Sequence, residues 1–345
     1  MKLLIITQKV NRNDPILGFF HGWIIEFAKH FESITAICLE KGEYNLPTNV
    51  KVLSLGKESV ISRPKYLFNF YKYIWQERCN YDAVFVHMNQ EYILLGGILW
   101  QLLGKKIYMW RNHHAGSFLT DIAAKFCNKV FCTSKFSFTA KYKKTVLMPV
   151  GINLELFKKN DSVNRVEQSV LFLGRIAPIK RPDLLICAFA GLKKQNLTFR
   201  ASFYGDPLPK DIDYYNNLKQ MVALYDLQDW VKFYPGIPNE QTIGVYNDHE
   251  IFVNLSTSGM YDKTIFEAMA CGCLILASNK NLRNIVDQSL IFNEGDLDDL
   301  QEKLKSLLSL NFDQKNKILE QLTTVTRANS LKELAIKLEK ELSLS

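Results

Sequence analysis

The sequence has no run of 18 apolar residues, and it therefore predicts no membrane-spanning helix. Its first seven residues, MKLLIIT, lead into polar Gln8 and Lys9 and not into a cleavage site. For the N-terminal segment this pattern predicts a first β-strand and not a signal peptide. We expect the protein to remain in the cytoplasm, where it is made.

Paired cysteines and metal-ligand spacings are also missing. The seven cysteines include no Cys-x-x-Cys pair and no matching histidine spacing, which predicts reduced thiols and excludes a zinc ribbon. Asp211 and Asp213 form an Asp-x-Asp pattern, but they open a predicted helix, where acidic residues are ordinary N-terminal caps. The same explanation covers Asp296, Asp298 and Asp299. We expect no metal ion and no cofactor.

A long basic arm and known nucleic-acid motifs are absent, although the net charge is +8. The basic residues are scattered, with small clusters such as KYKK at 141–144. An anionic membrane surface is therefore a better candidate partner than nucleic acid, and solvated surface charge remains the alternative. For membrane attachment the candidates are Lys141, Tyr142, Lys143 and Lys144.

What the chain does contain is enough apolar sequence for two cores: 345 residues that are 47% apolar and 12% aromatic. Short apolar strands alternate with helical segments, which predicts an α/β fold with parallel, doubly wound sheets. Residues 1–150 hold the first alternation, including a helix after Ser134, and residues 169–329 hold the second. The polar, unpatterned residues 151–168 predict a linker.

The most informative stretch is residues 251–279, which predict a strand, a polar loop, a short helix and another strand. Asp262 occupies the N-cap position, and Gly272 ends the helix. A helix that begins at the carboxyl edge of a parallel sheet directs N–H groups and a positive dipole end towards bound phosphates. Glu267 is either a solvent-facing residue of this helix or a carboxylate that binds ribose hydroxyls.

A second stretch, residues 171–192, has Arg175 at the end of a buried strand and Lys180 just before Pro182, which fits the first position of a helix. The two cations are either ordinary surface residues or an anion-binding pair. Because both lie at the same sheet edge as the helix at 263, we favour the anion-binding interpretation.

Together the two stretches resemble family 4 of the retaining nucleotide-sugar glycosyltransferases. The family signature is Glu, seven residues, Glu and Ala-Met-Ala-x-Gly, and Glu267 with the residues up to Gly272 matches its second half. Gly259 stands where the first Glu, which usually contacts the donor sugar, would be. Asp262 is close enough to substitute for that Glu, or it only caps the helix.

The resemblance implies a GT-B fold, in which two Rossmann-like domains face a cleft and the final helix, within 330–345, packs back on the first domain. It also implies a set of site residues, with the alternative of a hydrogen-bonded structural role for each histidine. The catalytic candidates are His113, Arg175 and Lys180. The donor-binding candidates are Gly174, Asp262, Lys263, Thr264, Ile265 and Glu267. On the acceptor or sugar side the candidates are Gly18, His21, His87 and His114.

The function implied by the resemblance is transfer of a sugar from a nucleotide diphosphate sugar to a hydroxyl acceptor, with retention of configuration. We expect the protein to act in surface glycan or glycolipid biosynthesis, with a glycan or glycolipid as its acceptor. The nucleotide sugar is a substrate and not a cofactor. Two alternatives stay open: a nucleotide-sugar epimerase on the same scaffold, and an inactive nucleotide-sugar-binding protein, which Gly259 suggests.

Overall fold

The computed structural model describes residues 1–14, 16–59, 62–258 and 261–344. The chain divides into two compact units. The first consists of residues 1–151 and 331–345, and the second of residues 152–330. Each unit is a parallel sheet covered by helices on both faces.

The first unit has seven parallel strands in the order β3-β2-β1-β4-β5-β6-β7. The strands are β1 (Lys2–Val10), β2 (Ser33–Lys41), β3 (Val50–Ser54), β4 (Ala83–His87), β5 (Lys106–Trp110), β6 (Lys129–Cys132) and β7 (Thr145–Leu147). The connecting helices are α1 (Gly18–Phe27), α2 (Arg63–Gln76), α3 (Glu91–Leu102) and α4 (Phe118–Phe126).

Successive side chains of β1 point to opposite faces of this sheet, and both faces are buried. Leu3 and Ile5 pack in one apolar cluster, which includes Trp23 of α1. Leu4 and Ile6 belong to a second cluster, formed with α2, α3 and α4. This two-sided burial explains why the strand reads as a continuous apolar run in the sequence.

The second unit has five parallel strands in the order β10-β9-β8-β11-β12. They are β8 (Val166–Leu173), β9 (Arg200–Tyr204), β10 (Val231–Tyr234), β11 (His249–Asn254) and β12 (Leu274–Ala277). The helices are α5 (Pro182–Lys194), α6 (Ile212–Leu224), α7 (Thr242–Asp248), α8 (Lys263–Ala270), α9 (Leu297–Leu308) and α10 (Phe312–Ala328). A last helix, α11 (Leu331–Ser343), belongs to the first unit, where Leu334 and Leu338 are buried in the cluster with Trp23.

Two details of the sequence interpretation are wrong. No α-helix follows Ser134: within the described residues only a single 3₁₀ turn, Phe138–Lys141, lies there. Hydroxyl groups compete with helical hydrogen bonding in this segment, since Thr139 donates to the carbonyl of Arg111 and Ser134 accepts from the N–H of Phe136.

The other error concerns the predicted linker, because its residues 166–168 lie in β8 and its residues 152–165 belong to the second unit. Arg165 holds this segment in place. Its guanidinium donates hydrogen bonds to the backbone carbonyls of Cys271 and Gly272, just after α8, and to that of His249.

Candidate functional site

The ends of β8 and β9 in the second unit approach each other so closely that only glycine fits at position 205. Gly174 and Gly205 both have a φ of +154°, and the N–H of Gly174 donates to the carbonyl of Tyr204 at 3.0 Å. A Cβ atom on Gly205 would lie 2.0 Å from the carbonyl oxygen of Gly174. The tight junction fixes where the chain leaves β8, and so it fixes the next residue, Arg175.

Arg175 is exposed at this carboxyl edge. Within the described part of the chain its guanidinium has no hydrogen bond or ion pair with protein groups. Because a guanidinium offers a planar fork of donors that matches phosphate oxygens, this residue is suited to hold an anion at the sheet edge.

Lys180 lies on the same edge and is held by residues of the β11–α8 segment. Its Nζ is 2.6 Å from Oδ2 of Asp262 and 2.9 Å from Oγ of Ser256. Asp262 Oδ2 also accepts hydrogen bonds from Ser256 Oγ at 3.1 Å and from Asn254 Nδ2 at 3.2 Å. The ion pair therefore places an ammonium group beside the N-terminus of α8.

Asp262 occupies the N-cap position of α8, but its carboxylate does not accept a hydrogen bond from the helix N–H groups. The expectation that it caps the helix is wrong. The reason is competition: Lys180, Ser256 and Asn254 converge on one carboxylate oxygen and draw the side chain away from the helix.

The ion pair changes the titration of Asp262. Burial raises the pKa of this carboxyl, but the charge of Lys180 and hydrogen bonds from Lys180, Asn254 and Thr264 outweigh it and lower the pKa from 3.8 to about 2. The side chain is only about 20% exposed, so solvent screens the interaction only in part.

This shift gives a prediction for stability against pH. The folded pKa lies below the unfolded value, so Asp262 stabilises the fold above about pH 4, and that stability is lost as the pH falls through about 2. Between pH 5 and pH 2 the wild type should lose about 2 kcal/mol more unfolding free energy than Asp262→Asn. Urea denaturation at a series of pH values measures this difference. Asp298→Asn, at the exposed start of α9, should follow the wild type, and parallel curves for all three proteins would contradict the prediction.

Glu267 is not solvent-facing, because its side chain is only 5% exposed. It accepts a hydrogen bond from the hydroxyl of Tyr246 at 3.3 Å. Burial raises the pKa of Glu267 and lowers the pKa of Lys263, one turn earlier on α8, and each charge opposes the other's shift. Glu267 is therefore a buried acidic group beside the N-terminus of α8, and its interpretation as an exposed surface residue is wrong.

Two other donor-binding candidates lie in the first turn of α8. Thr264 is half-buried, and its Oγ1 is 3.5 Å from Nδ2 of Asn254. Ile265 has a fully buried side chain, so only its backbone could contact a ligand. Gly259, at the position of the missing Glu, lies outside the described residues.

In the first unit, the structure distinguishes the two histidines at the carboxyl ends of β4 and β5. His87 is buried, its ring stacks on that of Phe20 at 3.8 Å, and its Nδ1 is 3.2 Å from Oγ1 of Thr7. His113 is exposed in the loop after β5, with its Nδ1 2.9 Å from the backbone nitrogen of Ala115. His114 is exposed beside it, with ring centroids 4.5 Å apart.

The remaining acceptor-side candidates surround the start of α1. His21 is buried and its Nε2 accepts the N–H of Asn45 at 3.1 Å, while burial and then the charge of Arg12 lower its pKa. Gly18 opens α1, and a Cβ there would lie 2.8 Å from the carbonyl oxygen of Arg12. Gly18 is thus explained by close packing of the preceding loop.

The predicted basic cluster at 141–144 is largely engaged within the protein. Lys141 Nζ is 2.7 Å from Asp121 Oδ1, and the hydroxyl of Tyr142 donates to the same oxygen. Lys144 donates to the carbonyl of Cys127, and Lys143 is exposed. This cluster offers less free charge to a membrane than its sequence suggests.

The acidic residues at helix starts behave differently from one another. Asp296 caps α9 as expected, accepting the N–H of Asp299 at 3.1 Å. Asp211 does not cap α6: it is buried, and its Oδ2 has no hydrogen-bond partner among the described residues.

In the described part of the chain no three His, Cys, Asp or Glu side chains are grouped to hold a metal ion. Among the described helices none combines the length and apolar character needed to cross a bilayer.

Sequence reasoning missed four residues of the site: Gly205, Tyr246, Asn254 and Ser256. Asn254 and Ser256 had a usable signal, since they are polar residues at the end of a buried strand at the edge where ligands bind. Gly205 likewise follows an apolar strand. Nothing local marked Tyr246, whose role depends on Glu267 lying opposite it.

Comparison with known proteins shows which family the second unit resembles in sequence. Residues 155–323 match the model of the family described as "Glycosyl transferases group 1". Among curated proteins, the D-inositol 3-phosphate glycosyltransferase of Frankia alni is 29% identical over 140 residues, which is 37% of this chain and 34% of the relative. The enzyme of the same name from Geodermatophilus obscurus is 27% identical over 148 residues, covering 39% of this chain and 33% of the relative. The chain thus spans about a third of the length of these curated relatives.

Solved structures resemble the whole chain in fold. Anabaena Alr3699/HepE in complex with UDP and glucose has a TM-score of 0.76 at 17% identity and covers 100% of both chains. Sucrose-phosphate synthase from Thermosynechococcus elongatus has a TM-score of 0.77 at 16% identity, covering 100% of this chain and 99% of that one. The predicted GT-B fold with two doubly wound parallel sheets is confirmed. The part of the chain that resembles the group 1 glycosyltransferases in sequence, residues 155–323, makes up most of the second unit.

Proposed function

We propose that this protein transfers a sugar from a nucleotide diphosphate sugar to a hydroxyl acceptor, with retention of configuration. The observation that supports this most is the pair of cations at the carboxyl edge of the second sheet. Arg175 is exposed and available, and Lys180 is fixed by Asp262 beside the N-terminus of α8. HepE, which shares the fold and is 17% identical to this chain in sequence, has been solved in complex with UDP and glucose.

The chemical task in this proposal is to stabilise the negative charge that develops on the departing diphosphate. Arg175 and Lys180 supply positive charge, and the first turn of α8 supplies N–H donors at the positive end of the helix dipole. Preorganised donors of this kind act without any reorganisation during the reaction. The proposed transfer needs neither a metal ion nor a cofactor, and the leaving phosphate assists the acceptor hydroxyl.

On the acceptor side, we propose a glycan or glycolipid of surface polysaccharide biosynthesis, bound by the first unit. His113 and His114 are the exposed candidates there. A lipid-linked acceptor would require the enzyme to work peripherally at the cytoplasmic face of a membrane.

The experiment that tests the function measures release of nucleoside diphosphate with and without candidate acceptors. A donor screen by thermal unfolding across UDP-, GDP- and ADP-sugars comes first, since a ligand at 100 times its Kd stabilises by roughly 2.7 kcal/mol. Acceptor-dependent release of the diphosphate supports transfer. Conversion of the donor sugar without release would identify an epimerase, and binding without turnover would identify an inactive binding protein.

The two histidines should separate catalysis from stability. We expect His113→Ala to lower turnover by about 10-fold or more, because an exposed loop histidine at a carboxyl edge can contact substrate. His87→Ala should lower the melting temperature instead, because the ring stacks on Phe20 in the core. Steady-state kinetics and thermal unfolding of both variants make the test, with Gln substitution at each position as the milder control. A folded His113→Ala variant with wild-type turnover would remove this residue from the mechanism.

A further inference from the structure

Two helices of the first unit expose large apolar side chains on their outer surfaces. On α2, Phe68 and Trp75 are 66% and 53% exposed, and Tyr71 lies between them on the same side of the helix. On α3, Ile98 and Leu102 are 61% and 80% exposed. We call six residues the apolar face: Phe68, Tyr71, Trp75, Leu95, Ile98 and Leu102.

The two rows of the apolar face lie side by side, because the hydroxyl of Tyr71 donates a hydrogen bond to the carbonyl of Leu95 at 2.9 Å. These residues are not displaced core residues. The opposite sides of both helices already fill the core, where Phe70, Ile74 and Trp100 are buried against the sheet. A contiguous exposed apolar surface of this kind marks a site of interaction.

The charges on α2 are all positive, whereas α3 begins with the exposed Glu91 and Glu77, just after α2, is buried and paired with Lys51. From residue 63 to residue 76, α2 contains Arg63, Lys65 and Lys72 and no acidic residue. Arg78 follows, with its guanidinium 4.5 Å from the ring centroid of Trp75. Cations and aromatic rings on one helix suit the headgroup region of an anionic bilayer, where rings enter the interface and cations meet lipid phosphates.

A second copy of this chain is a poorer occupant than a membrane. A symmetric dimer through α2 would bring the same cations of two copies together, and like charges repel. An anionic lipid surface removes that conflict, because it offers negative charge along the whole basic row.

We propose that the apolar face of α2 and α3 docks the protein on a membrane surface that contains anionic lipids. Phe68 and Trp75 enter the headgroup region, and Lys65, Lys72 and Arg78 contact lipid phosphates. The inference specifies the surface for the proposed peripheral attachment and rests on the proposed function only for its biological purpose. It moves the attachment site from residues 141–144 to α2 and α3.

Co-sedimentation with phospholipid vesicles tests the inference without any donor or acceptor. We expect the wild-type protein to bind phosphatidylglycerol–phosphatidylcholine vesicles, to bind pure phosphatidylcholine weakly, and to dissociate at high salt. Phe68→Ser/Trp75→Ser should weaken binding by roughly tenfold or more. Lys65→Gln/Lys72→Gln should weaken it about fivefold for each cation removed.

Matched controls lie on α10 of the second unit, where Phe312 and Lys317 are exposed. Phe312→Ser and Lys317→Gln should bind vesicles as the wild type does. All substituted positions are exposed, so melting temperatures should stay within experimental error of the wild type. Equal binding by the wild type and both α2 double variants would overturn the inference.

Tryptophan fluorescence gives a direct readout on the unaltered protein. Of the five tryptophans, Trp23, Trp100 and Trp110 are buried and Trp230 is half-buried, which leaves Trp75 as the exposed one. Brominated lipids should quench the wild-type protein and spare Trp75→Phe. Equal quenching of both proteins would overturn the inference. The inference would also be overturned if the wild-type protein did not bind vesicles and instead formed a dimer that Phe68→Ser/Trp75→Ser dissociates. The apolar face would then be a contact with a second copy of the chain. Vesicle binding without sugar transfer would count against the proposed function and leave this inference standing.

Discussion

Arg175→Ala should lower turnover with the nucleotide-sugar donor by about 10²–10³, the loss found when one preorganised charge-stabilising donor is removed from an active site. The interaction strengthens as negative charge accumulates on the departing diphosphate, so turnover should suffer more than donor affinity. The melting temperature without ligand should stay near that of the wild type, because the side chain is exposed. Steady-state kinetics and donor titration measure both effects.

Two controls sharpen this experiment. Arg175→Lys should rescue turnover only in part, since lysine lacks the bidentate fork of the guanidinium. Arg200→Ala removes another exposed arginine, at the amino end of β9 on the opposite edge of the same sheet, and should leave turnover unchanged. If Arg175→Ala kept full turnover and donor affinity, the diphosphate site would have to lie elsewhere.

Lys180→Met should reduce both turnover and stability. The substitution removes the charge proposed for the diphosphate, with a loss in turnover of about 10² or more. It also leaves the Asp262 carboxylate without its countercharge, although Ser256 and Asn254 still donate to it. Since both side chains of the ion pair are about one-fifth exposed, we expect a loss of roughly 2 kcal/mol in unfolding free energy, below the range for fully buried pairs.

A double variant separates the two roles of Lys180. In Lys180→Met/Asp262→Asn the unpaired carboxylate is gone, so the unfolding free energy should recover by at least half, while turnover stays low. Urea denaturation and kinetics of the two single variants and the double variant complete the cycle. Recovery of turnover along with stability would show that Lys180 acts only through the fold and not on the substrate.

How well the sequence predicted the structure depended on the range of the interactions involved. The helix predicted at 263–270 is α8, Lys263–Ala270, because its start, its apolar side and the glycine that ends it are all local signals. The start of α5 was predicted from an equally local signal, Pro182 at the first position of the helix. The segment after Ser134 misled the prediction because side-chain hydroxyl groups, invisible to apolar periodicity, decide its conformation.

The sequence predicted which residues lie at the edge of the second sheet, but it did not predict their contacts. Arg175 and Lys180 were identified as cations at a sheet edge, and the fold places both on the carboxyl edge of the second sheet. The partner of Lys180, however, is 82 residues away in the sequence. No local sequence pattern indicates that the carboxylate of Asp262 pairs with the ammonium group of Lys180 and does not cap α8.

By itself, then, the amino-acid sequence determined the alternation of strands and helices, the two apolar cores and the polar residues at strand ends, because these depend on periodicity and on residues a few positions apart. Only the tertiary structure decided which of those residues meet. The placement of β8 beside β11 brings Lys180 to Asp262, and the packing of α7 against α8 buries Glu267 opposite Tyr246. Such pairings depend on strand order and helix packing, which join residues distant in the chain, and on the low polarity of the interior, which makes each buried charge depend on its partner.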